Sequence, residues 1–403
     1  MAIQEISCAT AGQAVAVPLA AQSRAGVLTA LFITGFGTFL GLYATQPLLP
    51  EFRHVFRASE VMVSLTVSAP ILAVALLAPL VGLLADAVGR KRVIVAAMFG
   101  LTIPTALAGT AAGLTQIIVW RFMQGLFVPG IIAVAMAYIS EESPRRLAGS
   151  TMAIYVTGTV VGGFSGRFIV GLIETHWGWR TAFFVLAAIT LAAALITWRL
   201  LPRSTKFVRK RNAAAAFESM RAHLRNSQLL ATCAVGFNVL FCMVAAFTYV
   251  NFYLADKPFY LGSAALGSIF GVYLIGAVIT PVAGRILDRV GHRRALVGAV
   301  GISAAGMLLT TIHYVPAVIA GLTLEATGVF ASQSASSSHV GKAAIEGRSS
   351  AAGIYVALYY LGGSMGSIIP GLLWKQAGWP GCVATIVCMQ LVTLLIAHKL
   401  WHD

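Results

Sequence analysis

Apolar residues run through this chain in long blocks, broken by short groups of charge, proline and glycine. An α-helix crosses the hydrocarbon core of a bilayer with about 20 apolar residues, and inside lipid only such a helix satisfies its own backbone. Twelve blocks of that kind are predicted. Spans 1 to 6 cover 26–49, 61–84, 92–112, 115–138, 147–173 and 180–200, and spans 7 to 12 cover 228–254, 262–285, 294–312, 315–338, 348–374 and 380–401. The predicted fold class is therefore all-α and membrane-integral.

The polar breaks carry a second pattern, a repeat. A charged knot between spans 2 and 3, running from Gly82 through Asp86 and Gly89 to Arg90, Lys91 and Arg92, returns 202 positions later. There Gly284, Asp288, Gly291, Arg293 and Arg294 occupy the same places between spans 8 and 9. Ile154, Tyr155, Val156, Gly162, Gly163, Gly166, Gly171, Gly178 and Trp179 likewise recur 200 positions later as Ile354, Tyr355, Val356, Gly362, Gly363, Gly366, Gly371, Gly378 and Trp379. The chain is thus two copies of one six-helix unit. Each copy has an even number of spans, so both enter the membrane from the same side and the repeat is parallel. The expected organisation is a tail over 1–25, a first bundle over 26–200, a basic linker over 201–227 and a second bundle over 228–403.

Composition agrees with lipid as the solvent. With 58% hydrophobic residues, 10% charged residues and a mean hydropathy of +0.85, too little polar surface is available to cover a water-soluble globule. The net charge of +15 would suit a nucleic-acid binder, but the basic residues sit in short connections rather than on one face. Membrane topology accounts for them. Arg53, Arg57, Arg180, Lys257 and Lys375 fall on one side and 21 of the 28 Lys and Arg residues on the other, which assigns both termini, the linker and both knots to the cytoplasm. Anionic lipid headgroups attract such basic loops by about 1 kcal/mol per residue, and Ala213 to Arg225 is expected to form a surface helix there.

Targeting and cysteine chemistry add little. The first 24 residues lack the order of basic cluster, apolar core and cleavage site of a signal peptide and read as a cytoplasmic tail. Cys8, Cys233, Cys242, Cys382 and Cys388 form neither a disulfide framework nor a metal pair, and no metal is expected.

Three ionisable residues lie inside apolar spans: Arg121, Arg167 and Glu325. A charge near the bilayer centre costs about 2.5–3.5 kcal/mol, so each is expected to face a partner or a watery cavity. A dry site favours the neutral form of Glu325, which fits either a proton carrier or a permanently protonated packing residue held by Thr323, Thr327 and Gln333. Arg167, near the outer end of span 5, reads either as a snorkelling side chain or as a functional one. Tyr43 and Gln46 in span 1, and Asn238 and Asn251 in span 7, fit contact with a substrate or with neighbouring helices. The run Phe247, Tyr249, Phe252 and Tyr253 reads as an interfacial belt or a cavity gate. Gly158, Gly162 and Gly166, with Gly362 and Gly366, form smooth stripes that admit a close neighbour and are expected to serve as a rocking surface between the halves.

These motifs carry a resemblance. Gly82, Leu84, Ala85, Asp86, Gly89, Arg90 and Lys91 match the signature that the major facilitator superfamily places between helices 2 and 3, with Ala87 departing from it. Arg121, Gln124 and Gly125 match its helix 4 signature. Gly149, Gly158, Gly162 and Gly166 follow its antiporter signature in helix 5, with Gly163 and Arg167 replacing a Pro and a Gly. The chain resembles the proton-coupled drug or sugar efflux branch. The resemblance implies a secondary active transporter working by alternating access, with spans 1, 4, 7 and 10 lining a central cavity faced by Arg121 and Glu325. The knots would act as a cytoplasmic latch. Proton-coupled efflux of a small molecule is the first expectation, and proton-coupled uptake of a small organic anion is the alternative. The expected partners are a small-molecule substrate and protons, with no nucleic acid and a monomeric protein, in a bacterial inner membrane. No cofactor is expected beyond the proton gradient, since no phosphate-binding loop of Gly followed by Lys and Ser or Thr is present. The histidines scatter over loops and helix ends, so no enzyme is expected.

Overall fold

The computed structural model describes residues 24–144, 146–204, 221–344 and 348–401, and within them every side chain except those at 82–84, 86, 87, 348 and 349. The expected tail and surface helix fall largely outside that set. No strand occurs among the described residues.

Nine stretches are long and apolar enough to cross a membrane, and two of them, Ala148–Leu200 and Ser350–Leu400, run for 53 and 51 residues. Each of those is twice the length of a crossing and holds two spans. With His292–Leu309, which is too polar at its start to qualify by composition, the described chain has the twelve expected spans. Large apolar side chains such as Ile103 and Leu372, each more than half exposed, stand on the outside where lipid covers them.

The corners explain the doubled helices. Gly178 interrupts Ala148–Leu200 at φ 77°, and Gly378 interrupts Ile369–Leu400 at φ 57°. Gly89 and Gly291 end the helices before the second half of each knot at φ 106° and 84°. All four are left-handed corners that a side chain resists, and they form two repeat-related pairs. The tryptophans beside two of them pin the corner. Trp179 packs edge-on against Phe52, and Trp379 donates its indole N–H to the Thr310 carbonyl at 3.2 Å.

The glycine stripes serve a different contact from the expected one. Gly158, Gly162 and Gly166 abut the backbone of Phe32, Phe36 and Leu40 in span 1, within their own half, and Gly362 and Gly366 abut Phe237 and Phe241 in span 7. A stripe signals close approach but not to which neighbour, and here it welds each half rather than lubricating the boundary. The boundary uses the next glycine of the repeat. Gly171 meets the Ser263 backbone in span 8, and Gly371 meets Val61 in span 2 and Tyr249 in span 7. Spans 5 and 8, and spans 11 and 2, are therefore symmetry-related contacts between halves.

Span 1 is broken. Its helix Arg24–Leu42 gives way to a 3-10 turn at Gln46–Leu48 and a short helix Leu49–Phe56 with Pro50 near its start. Span 8 is broken likewise, into Ser263–Ile269, the 3-10 turn Phe270–Leu274 and Ile275–Val290.

Candidate functional site

Breaking a helix frees carbonyls that lipid cannot satisfy. Arg121 meets that need in span 1. Its Nη1 donates to the Gly41 carbonyl at 2.6 Å and to Gln124 Oε1 at 2.5 Å, its Nη2 donates to the Leu42 carbonyl, and its Nε donates to the Thr66 carbonyl at 2.9 Å. Gln124 in turn donates to Thr105 Oγ1 at 3.0 Å. The expectation that Arg121 faces the central cavity is corrected: it is fully buried inside the first bundle and clamps the end of a helix.

Glu325 is also inside its own bundle. Ser303 Oγ of span 9 and Gln390 Nε2 of span 12, the latter at 3.3 Å, donate to its Oε2, and Gln390 also donates to Ser303 Oγ at 2.7 Å. Thr323 and Thr327, expected to satisfy it, instead donate to carbonyls of their own helix. Next to this cluster lies a cavity of about 10 Å³ lined by Asn238, Cys242, Ser303, Ser332, Gln390 and Thr393. Glu325 Oε1, Gln390 Oε1 and Asn238 Nδ2 are buried without partners. Asn238 thus shares that cavity with Ser303 and Gln390, while Asn251 donates back to the Phe247 carbonyl of its own helix at 2.7 Å.

Arg167 does stand between the halves. It is 1% exposed, which removes the snorkelling reading, and its Nε donates to Gln46 Oε1 at 2.7 Å. Gln46 donates to Thr248 Oγ1 of span 7 at 3.2 Å, so two expected residues share one cross-half network. The guanidinium carbon lies 4.8 Å from the ring centre of Tyr43 in span 1, and 4.6 Å from those of Phe270 and Tyr273 in span 8. Tyr43, Gln46 and Arg167, three of the expected cavity contacts, are therefore brought together.

The end of the molecule away from the knots is shut. Ser68 and Ser364 share a 2.7 Å hydrogen bond between spans 2 and 11. Beyond them Arg53 grips Asp256 through Nη2 to Oδ1 at 2.6 Å and Nη1 to Oδ2 at 3.1 Å, and also reaches Glu60 at 3.3 Å. This clasp was absent from the sequence reading, although its two residues lie 203 positions apart, almost one repeat. The aromatic run does not form a belt: Phe247, Tyr249, Phe252 and Tyr253 are all buried, and Tyr249 donates to the Ser367 carbonyl of its own half at 2.8 Å. The Phe252 ring meets the closure from below the Arg53 guanidinium, 5.8 Å away.

The clasp yields a testable expectation. Asp256 is 44% exposed, so the pair contributes modestly. Asp256→Ala is expected to raise the maleimide labelling rate of a cysteine placed at Thr248 by about two- to fivefold, the range an exposed ion pair supports. An unchanged rate would remove the clasp from the closure.

At the opposite end, Arg90 of the first knot pairs with Glu141 at the end of span 4, through Nη2 to Oε1 at 2.8 Å and Nε to Oε2 at 3.2 Å. In the second knot Arg293 Nη2 lies 2.6 Å from His398 Nδ1, and Asp288 is exposed. These contacts tie each knot to its own bundle. The side chains of Asp86 and Leu84 lie outside the described set. No cluster of three or more His, Cys, Asp or Glu suited to a metal occurs among the described residues.

Comparison with known proteins places this architecture. The chain is 37% identical over 377 residues to the inner membrane transport protein YnfM of Escherichia coli (strain K12), covering 93% of this chain and 90% of that protein. It is 29% identical over 227 residues to the multidrug resistance protein MdtG of Klebsiella pneumoniae (strain 342), covering 55% of each. Its fold matches that of an inward-facing, unoccupied bacterial homologue of the human lysosomal transporter Spinster, with a TM-score of 0.74 at 16% identity, over 93% of this chain and 95% of that one. The family pattern of the Major Facilitator Superfamily matches residues 31–271 and again 257–402, between them nearly the whole chain. With two repeated six-helix bundles, knots at equivalent corners and no enzyme among these relatives, the protein is a membrane transporter and a member of the Major Facilitator Superfamily.

Proposed function

We propose that this transporter works by alternating access in a bacterial inner membrane, exporting a small molecule in exchange for protons, as a monomer with both termini in the cytoplasm. The observation that carries the alternating-access reading is the distribution of bonds between halves. Among the described residues, Ser68 with Ser364, Gln46 with Thr248 and Arg53 with Asp256 all join the halves toward the end away from the knots. Two welded bundles held at one end by so few bonds can part there and close at the other. The knots, rich in charge at the opposite end, are the natural latch for that second closure.

Proton drive is supported by Glu325, a fully buried carboxyl with one oxygen unpartnered and no basic partner in its cluster. Export is supported by the partial antiporter signature and by the likeness to a multidrug resistance protein over half the chain. The test is a resistance and transport screen in cells and in proteoliposomes, repeated with a protonophore. Accumulation of cargo is expected to rise when the gradient collapses; cargo that leaves at the same rate without a gradient would overturn proton exchange.

A further inference from the structure

We propose that Arg167 is the anion-recognising residue of the substrate site, and that the cargo is an organic monocarboxylate with an apolar or aromatic body. The proposal rests on the transporter reading but not on the direction of transport or on protons. Among the described residues, Arg121 and Arg167 are the arginines buried deep within the spans, and they differ in one respect. All three nitrogens of Arg121 are committed, three of its four bonds going to backbone carbonyls, as befits a clamp. Arg167 spends Nε on Gln46 and Nη1 on the Gly163 carbonyl at 2.6 Å, while its Nη2 is buried with no hydrogen-bond partner. None of the ion pairs found among the described residues includes it.

A buried cation without a counter-charge is unfavourable unless something else faces it. Here three rings do. Tyr43 belongs to the first half, but Phe270 and Tyr273 belong to the second, so the cage is complete only while the halves meet at this level. Parting them strips two rings from the guanidinium and leaves its free Nη2 facing the gap. A carboxylate then supplies the charge that the aromatic faces no longer offset, and its body takes the place of a ring against Tyr43. Gln46 belongs to the same half as Arg167, so its bond to Nε persists when the halves part and keeps the fork oriented.

The charge of the ligand follows from counting the groups available. One uncommitted nitrogen on one guanidinium suits a monoanion. A phosphate dianion would call for a second free cation, and every nitrogen of Arg121 is already engaged, mostly with backbone carbonyls of its own half. The tyrosine- and phenylalanine-rich walls, continued by Phe330 at 6.0 Å and Phe247 at 4.4 Å from the Tyr273 ring, suit an apolar body rather than a sugar.

The experiment is equilibrium binding to the purified full-length protein, with no gradient, using benzoate and indole-3-acetate against the neutral benzamide and the cationic benzylammonium. Both carboxylates are expected to bind at least about tenfold more tightly than their neutral and cationic counterparts. Arg167→Gln is expected to erase that preference. Arg167→Lys, which keeps the charge but loses the planar fork, is expected to weaken binding severalfold while still preferring benzoate, and it serves if the Gln variant does not fold. Equal binding of benzamide, carboxylate binding unchanged in Arg167→Gln, or no binding of either carboxylate would each overturn the proposal. Carboxylate binding that persists when gradient-driven export fails would overturn the export reading and leave this site standing.

Discussion

Glu325→Gln is expected to reduce proton-driven exchange in proteoliposomes to the level of empty vesicles, with the protein still folded. The expectation follows from isosterism inside a full cluster. The amide oxygen of Gln can accept from Ser303 and Gln390 as the carboxylate oxygen does, so the contacts among spans 9, 10 and 12 survive. What is lost is a group that binds and releases a proton. Removing a buried acid without removing its shape also spares the bundle the cost of desolvating a charge, so thermal stability should hold or rise. Exchange of cargo for cargo without a gradient should continue in the variant. If pH-driven transport continues unchanged, Glu325 is a packing residue and the carrier lies elsewhere.

Gly162→Leu should have the largest effect on the fold itself. A Cβ at this position falls 2.7 Å from the Phe36 Cα and closer still to its carbonyl oxygen, and backbone cannot step aside as a side chain can. Overpacking a core costs up to about 3 kcal/mol even where side chains give way, so spans 1 and 5 should fail to pair. The readout is a loss of the single monodisperse peak after detergent extraction. Gly284→Ala is the control, since nothing lies within 4 Å of its added Cβ, and it should run as the native protein does. A monodisperse Gly162→Leu would mean that the stripe is not a weld.

The twelve spans and the duplication were readable because both are local: a block of apolar residues declares a crossing, and a motif declares its copy. The corners were not read as such: Gly178 and Gly378 stood in the repeat as matching residues, and their left-handed conformation is seen only in the structure. What sequence does not declare is the partner. The stripe of Gly158, Gly162 and Gly166 promised a close neighbour, and the neighbour proved to be span 1 of the same half. Arg121 matched a family motif, yet its ligands are carbonyls exposed by a helix break that no motif spells out. Glu325 found its partners 22 and 65 residues away in spans 9 and 12 rather than among its helical neighbours. Arg53 was counted only as a loop charge and Asp256 was not singled out, and their near-equivalence in the repeat was the available sign that they meet.

The glycine corners also bear on how motion spreads. Between spans 5 and 6, and between 11 and 12, the helix turns on a single residue with no loop to spare. A joint of that kind has no slack: a tilt of span 5, pushed by span 8 through Gly171, passes undiminished to span 6. The tilt of span 11, pushed by span 2 through Gly371, passes in the same way to span 12. In the alternating-access reading proposed above, each half would then turn as one lever, with its load point at the glycine contact and its knee at the glycine corner.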